Sequence, residues 1–141
     1  MLTDGRGVPL GLAVSGANRP DKELLPATLE SMPVERPQPT AKKPQHFCGD
    51  KAYDDKEVRQ TVAAYGYTAH IPFKRRKGQK VEAPKPIPGY RARRWVVERT
   101  HSWMNRFRRL LIRWEKKVTN YVAFLHFACA WIAYRAAGVL G

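Results

Sequence analysis

Acid is what this sequence of 141 residues lacks most: 12 Asp and Glu stand against 26 Lys and Arg, a formal net charge of +14. That shortage points to a polyanionic partner, because Lys and Arg displace the counterions condensed on phosphates. Cysteine is nearly absent too. Cys48 and Cys129 lie in no CxxC or Cys/His cluster, which argues against a zinc site or a disulfide framework and fits a reducing cytosol. Long apolar runs are missing. The longest, Tyr121 to Tyr134, is interrupted by His126 and falls short of the roughly 20 residues a membrane helix needs. The opening Met1-Leu2-Thr3-Asp4-Gly5-Arg6 has no apolar stretch of the kind a signal peptide carries.

What is present is concentrated. Residues 74 to 117 hold 16 Lys and Arg against Glu82, Glu98 and Glu115, so nearly all the excess charge sits there. Trp95, Trp103, Phe107 and Trp114 are interleaved with these cations, unlike a plain basic tail. Nucleic acid is therefore the expected partner. A solvated basic surface and an RNA-binding or ribosome-associated protein are the competing accounts of the charge.

Along the chain, Asp4-Gly5-Arg6-Gly7 reads as a turn before a strand over Val8 to Val14, so the chain is expected to begin inside a hairpin. Asp21 is expected to cap a short helix to about Ser31, followed by an extended Pro-rich connection, Pro33 to Pro44. His46 to Gly49 reads as a short buried strand that delivers Asp50 at its C-terminal end, the edge where open α/β sheets place their sites. Asp54 and Glu57 resemble a capping box that starts a helix bearing Val58, Val62 and Tyr65 and ending at Gly66. A strand over Tyr67 to Ile71 follows. From Pro72 to about Tyr90 the chain is rich in Lys, Arg and Pro and reads as a basic loop suited to a DNA backbone.

Val96, Thr100, Trp103, Phe107, Leu110 and Trp114 recur at spacings of four and three, which predicts one helix from Arg91 to about Lys117. A last helix is expected from about Asn120 to Ala137. The order is that of a layered α/β fold with long basic C-terminal helices. One compact unit is the expectation for this length.

On the long helix, Arg91, Arg94, Ser102, Asn105 and Arg109 fall within about 40° of Glu98 at about 100° per residue. Glu98 is thus the lone acid on a basic face. A carboxylate facing bound DNA is repelled by phosphate unless a divalent cation lies between them, which suggests a Mg²⁺ (or Mn²⁺) ligand with Asp50 as partner. The plainer readings are an ion pair of Glu98 with Arg94 and a turn or capping role for Asp50. His70 and His101 have no paired acid at triad-like spacing and are read as structural, and Trp103 and Phe107 as core.

The segments Gly49-Asp50-Lys51-Ala52-Tyr53-Asp54, Arg93-Arg94-Trp95-Val96-Val97-Glu98-Arg99-Thr100 and Asn105-Arg106-Phe107-Arg108-Arg109-Leu110, with Trp103, resemble bacterial insertion-sequence DDE transposases. Asp4 to Leu10 and Ser15-Gly16-Ala17-Asn18 resemble the stretch between that family's first and second catalytic acids.

The resemblance implies an RNase H-like fold, with Asp50 as the second acid and metal ligand, Glu98 as the third, and Arg94 orienting the site. It implies DNA transposition by Mg²⁺-dependent cleavage and strand transfer, in the cytoplasm at the nucleoid. The first acid would lie on a strand preceding Met1, so the chain is expected to be N-terminally truncated and incomplete alone. Asp4 matches a hairpin turn instead. The cations assigned to DNA are Lys51, Lys74, Arg75, Arg76, Arg91, Arg94, Arg106 and Arg109. Expected partners are insertion-sequence ends and target DNA, an upstream segment or full-length transposase, and a further copy of the chain. The alternative is a non-catalytic DNA-binding remnant or inhibitor.

Overall fold

The computed structural model describes residues 1–74 and 93–138. Most of the expected basic loop, with Arg75, Arg76 and Arg91, therefore lies outside the described residues. In chain order the strands and helices are β1 (Leu2–Thr3), β2 (Pro9–Gly11), α1 (Leu25–Glu30), β3 (Gln45–Cys48), α2 (Lys56–Ala64), β4 (Tyr67–His70), α3 (Val96–Met104), α4 (Arg108–Leu111) and α5 (Val118–Ala136). Helices and strands mix, as the sequence predicts. None of the described helices is long and apolar enough to cross a membrane. The chain divides into two compact units: Met1–Gly16, Ala27–Pro33 and Trp95–Gly141 form a hairpin unit, while Ala17–Pro26 and Val34–Arg94 form a βαβ unit.

In the βαβ unit, β3 and β4 pair in parallel from Gln45 with Tyr67 to Cys48 with His70. Parallel neighbours need a crossover, and α2 supplies it. Its Val58 and Val62 are buried, and Val62 is wholly excluded from solvent. Burying such a side chain contributes about 1.5–3 kcal/mol. Gly66, at φ +76°, reverses the chain after α2, and a Cβ there would stand 2.9 Å from Pro39 Cγ. Arg36 fastens this corner: it donates to Gln45 Oε1 at 2.7 Å and to the Tyr65 carbonyl, and its guanidinium lies 4.0 Å over the Tyr67 ring.

In the hairpin unit, β1 and β2 pair antiparallel with an irregular step between Leu2 and Thr3. Asp4 builds the turn, its Oδ1 accepting the Arg6 and Val8 amides at 2.8 Å each. Gly11 passes so close to α1 that a Cβ would stand 2.4 Å from the Thr28 carbonyl oxygen. Ser31 closes the contact, accepting the Leu12 amide at 2.7 Å and donating to Thr28 O at 2.8 Å. Leu29, Val96, Thr100, Met104, Ala128 and Ile132 are buried in this unit.

The single helix expected from Arg91 to Lys117 is corrected. Regular helix starts at Val96 and ends at Met104, Phe107 is extended at ψ 101°, α4 is one short turn, and Ile112 is extended again. Arg106, Arg108, Arg109 and Arg113 would crowd like charge onto successive turns, and Asn105 is a weak helix former. The expected apolar stripe holds at Val96 and Thr100, but Trp114 is exposed. Met104, off that stripe, is core.

Candidate active site

Asp50 stands just beyond the C-terminal end of β3. Gly49 before it is buried, and a Cβ there would come within 3.2–3.3 Å of Phe47, Ile71 and Tyr53, so glycine lets the strand end close down on its neighbours. Asp50 is exposed. Its Oδ1 accepts the Ala52 amide at 2.8 Å and so caps a 3-10 turn over Lys51–Tyr53. That capping role and a ligand role are compatible, since Oδ2 has no hydrogen bond among the described residues. Tyr53 is half-buried with its ring edge on Phe47, and burial, then the charges of Asp21 and Asp50, pushes its hydroxyl pKa above the usual phenol value. Lys51 in the turn is exposed.

The expected Asp54 cap is corrected by one residue. Asp55 caps α2, accepting the Glu57 amide at 3.0 Å, and pairs with Lys22 Nζ at 2.7 Å. The hydrogen bond from Lys22 to Asp55 raises that lysine above its ordinary pKa. Asp54 instead receives Arg59 on Oδ1, from Nη2 at 2.7 Å and Nε at 3.2 Å, and the Lys74 amide on Oδ2 at 2.6 Å. Periodicity reads one position wrongly here because either aspartate fits a helix start, and only Asp55 adopts the extended backbone of a cap.

His46 and His70 are brought together across β3 and β4, Nδ1 to Nε2 at 2.8 Å. Burial first, and the neighbouring His46 second, hold His70 below the ordinary imidazole pKa. This pair depends on strand register, which no local spacing of residues encodes.

Glu98 lies in the first turn of α3, exposed, where the helix dipole favours a carboxylate. Beside it, Thr100 is buried and donates to Gly7 O at 2.6 Å, while Arg99 donates to the Arg6 carbonyl between Trp95 and Trp103, 5.0 and 5.2 Å from their ring centres. His101 is held below its ordinary pKa mainly by burial. Of the basic face expected around Glu98, only Ser102 and the C-capping Asn105 stay on the same helix. Arg94 is exposed in the turn before α3, and Arg106 is exposed in the turn after it. Arg109 sits on α4, paired with Glu115 at 3.2 Å and stacked 4.9 Å from Phe124.

Asp50 with Lys51 and Lys74 thus belongs to the βαβ unit, and Glu98 with Arg106 and Arg109 to the hairpin unit. Among the described residues no three His, Cys, Asp or Glu form a group that could hold a metal.

Compared with known families, residues 1–133 match the model described as "Transposase DDE domain". The chain belongs to this family. It is 34% identical over 137 residues to a protein of Burkholderia cepacia described as a putative transposase for insertion sequence element IS402. That match takes in 95% of this chain and 61% of the relative, so the chain spans less than two thirds of the relative's length. No solved structure matches.

Proposed function

We propose that these 141 residues are part of the catalytic domain of an insertion-sequence transposase with an RNase H-like fold, acting in DNA transposition by metal-dependent phosphoryl transfer. The observation that carries the reading is the parallel β3-α2-β4 unit with an exposed carboxylate, Asp50, at the strand's C-terminal edge, in a chain of the DDE family.

Asp50 and Glu98 are two of the carboxylates that hold Mg²⁺ or Mn²⁺. Both are exposed and offer the hard oxygen donors such ions take, which is the fit the donor chemistry requires. When bound, the ions activate the attacking oxygen and stabilise the leaving oxygen of the DNA phosphate. Asp50 keeps one oxygen on Ala52 N–H, which fixes its rotamer. Arg94 orients a phosphate or the carboxylates. Lys51, Lys74, Arg106 and Arg109, with Arg75, Arg76 and Arg91, neutralise DNA phosphates, and each contact adds to the salt dependence of binding. Element ends and target DNA are the substrates, and full-length transposase or a further copy is the protein partner.

The test is Mg²⁺-dependent nicking of a duplex carrying an element end by a full-length transposase that includes these residues, with Asp50→Ala and Glu98→Ala. Nicking abolished by both substitutions is expected. Binding without nicking in all three proteins would favour a non-catalytic DNA-binding role.

A further inference from the structure

Four residues after Asp50, a second carboxylate is tied into a network that sequence reading assigned to a helix cap. Asp54 is the more enclosed partner of the Arg59 ion pair, its side chain 12% exposed against 29% for Arg59. Arg59 serves three partners at once: Asp54 Oδ1 through two nitrogens, the Ile71 carbonyl through Nη2 at 2.9 Å, and the Phe73 ring 4.6 Å below its guanidinium. The other Asp54 oxygen takes the Lys74 amide. The network therefore ties the chain just after the Asp50 turn to the chain just after β4. Asp54 N–H donates to Lys51 O at 3.2 Å, and Tyr53 N–H to Asp50 O at 3.3 Å, so the turn carrying Asp50 is fixed at its far end by Asp54 as it is fixed at its near end by β3.

We propose that Asp54 and Arg59 are positioning residues for Asp50, holding its turn in the geometry that takes the divalent cation. The inference rests on the reading of Asp50 as a metal ligand. Neither residue touches the ion; they act by removing freedom from the turn. Arg suits the task because a planar fork can serve two acceptors and stack on a ring together, which a lysine ammonium cannot do. Groups that orient a ligand carboxylate are typically worth about ten- to a hundredfold in metal affinity.

The experiment is a Mn²⁺ titration of the full 141-residue chain, read as paramagnetic broadening of the Lys51 and Ala52 amide resonances, for the wild type, Asp50→Asn, Arg59→Gln and Arg59→Lys. Circular dichroism melts report folding alongside. Arg59→Gln removes a positive charge, so electrostatics alone tightens cation binding or leaves it unchanged. Positioning requires the opposite sign: Arg59→Gln weakens Mn²⁺ binding about tenfold, and Arg59→Lys restores only part of it. Where Arg59→Gln fails to fold, the folded Arg59→Lys chain decides by the same criterion, weaker binding supporting the proposal and unchanged binding overturning it. Wild-type broadening that Asp50→Asn removes, with unaltered affinity in Arg59→Gln, overturns the positioning role and leaves Asp50 as a ligand. Broadening that Asp50→Asn does not remove overturns the ligand reading, and the positioning role with it.

Discussion

The two candidate acids sit in units built by different chemistry. Around Asp50 the chain is cross-linked by charged and polar side chains: Arg36 to Gln45 and Tyr65, Lys22 to Asp55, Arg59 to Asp54 and Ile71, His46 to His70. Around Glu98 the fixing contacts are a buried hydroxyl on a backbone carbonyl and an arginine between two indoles, over an apolar core. The helix α5 in that unit is apolar on all sides, yet only Ala128 and Ile132 are buried, while Phe127, Trp131 and Tyr134 are exposed. The first unit therefore adds, to its buried Val58 and Val62, a set of contacts sensitive to protons and salt, while the second rests more on its apolar core.

The largest separation of the two is expected from the core. Leu29→Ala deletes a side chain only 1% exposed in the hairpin unit and should cost about 2–5 kcal/mol. Amide exchange should show faster opening of α3 and α5 with the amides of α2 and β4 little changed. Thr100→Val comes next. It keeps the shape but leaves Gly7 O without its buried donor, a loss of about 1–3 kcal/mol, measured by chemical denaturation.

A pH series probes the other unit. His70 has a lowered folded pKa, so the unfolded chain binds the proton more readily, and stability is present above the ordinary imidazole value and lost as pH falls through it. The effect is expected below about pH 6.5 and is worth about 1 kcal/mol or less, since the pair is partly solvated. His46→Gln should weaken the dependence only in part, because burial is the larger cause, read as the melting temperature between pH 7.5 and 5. The smallest change is Trp114→Ser. Its side chain is exposed, so a melt should move by no more than about 0.5 kcal/mol.

These contrasts also explain what was legible. The βαβ unit could be read closely because its signals are local: an apolar strand ending at Asp50, Val58 and Val62 one turn apart, Gly66 as a stop. The hairpin was equally visible from Asp4 to Gly7, as was α5 within two residues at its start. The break at Phe107 was not, because the four-and-three spacing of apolar residues continues through it while the cations between them oppose a continuous helix. The roles of Asp54, Arg59, His46 and His70 depend on partners 5 to 24 residues away, and no periodicity encodes such pairings. Glu98 was singled out as the lone acid on a basic face. It is on α3 as expected, but the face around it is divided among a helix and two turns.

The central proposal is that Asp50 and Glu98 are ligands for divalent ions, and Fe²⁺-directed backbone cleavage tests it most directly. With Fe²⁺ in place of Mg²⁺, and ascorbate and peroxide added, the polypeptide is cut where its ligands hold the metal. The account predicts cuts next to Asp50 and next to Glu98, suppressed by excess Mg²⁺ and lost at Asp50 in Asp50→Ala and at Glu98 in Glu98→Ala. Cuts near only one of the two, or cuts that persist where the carboxylate has been removed, would contradict it.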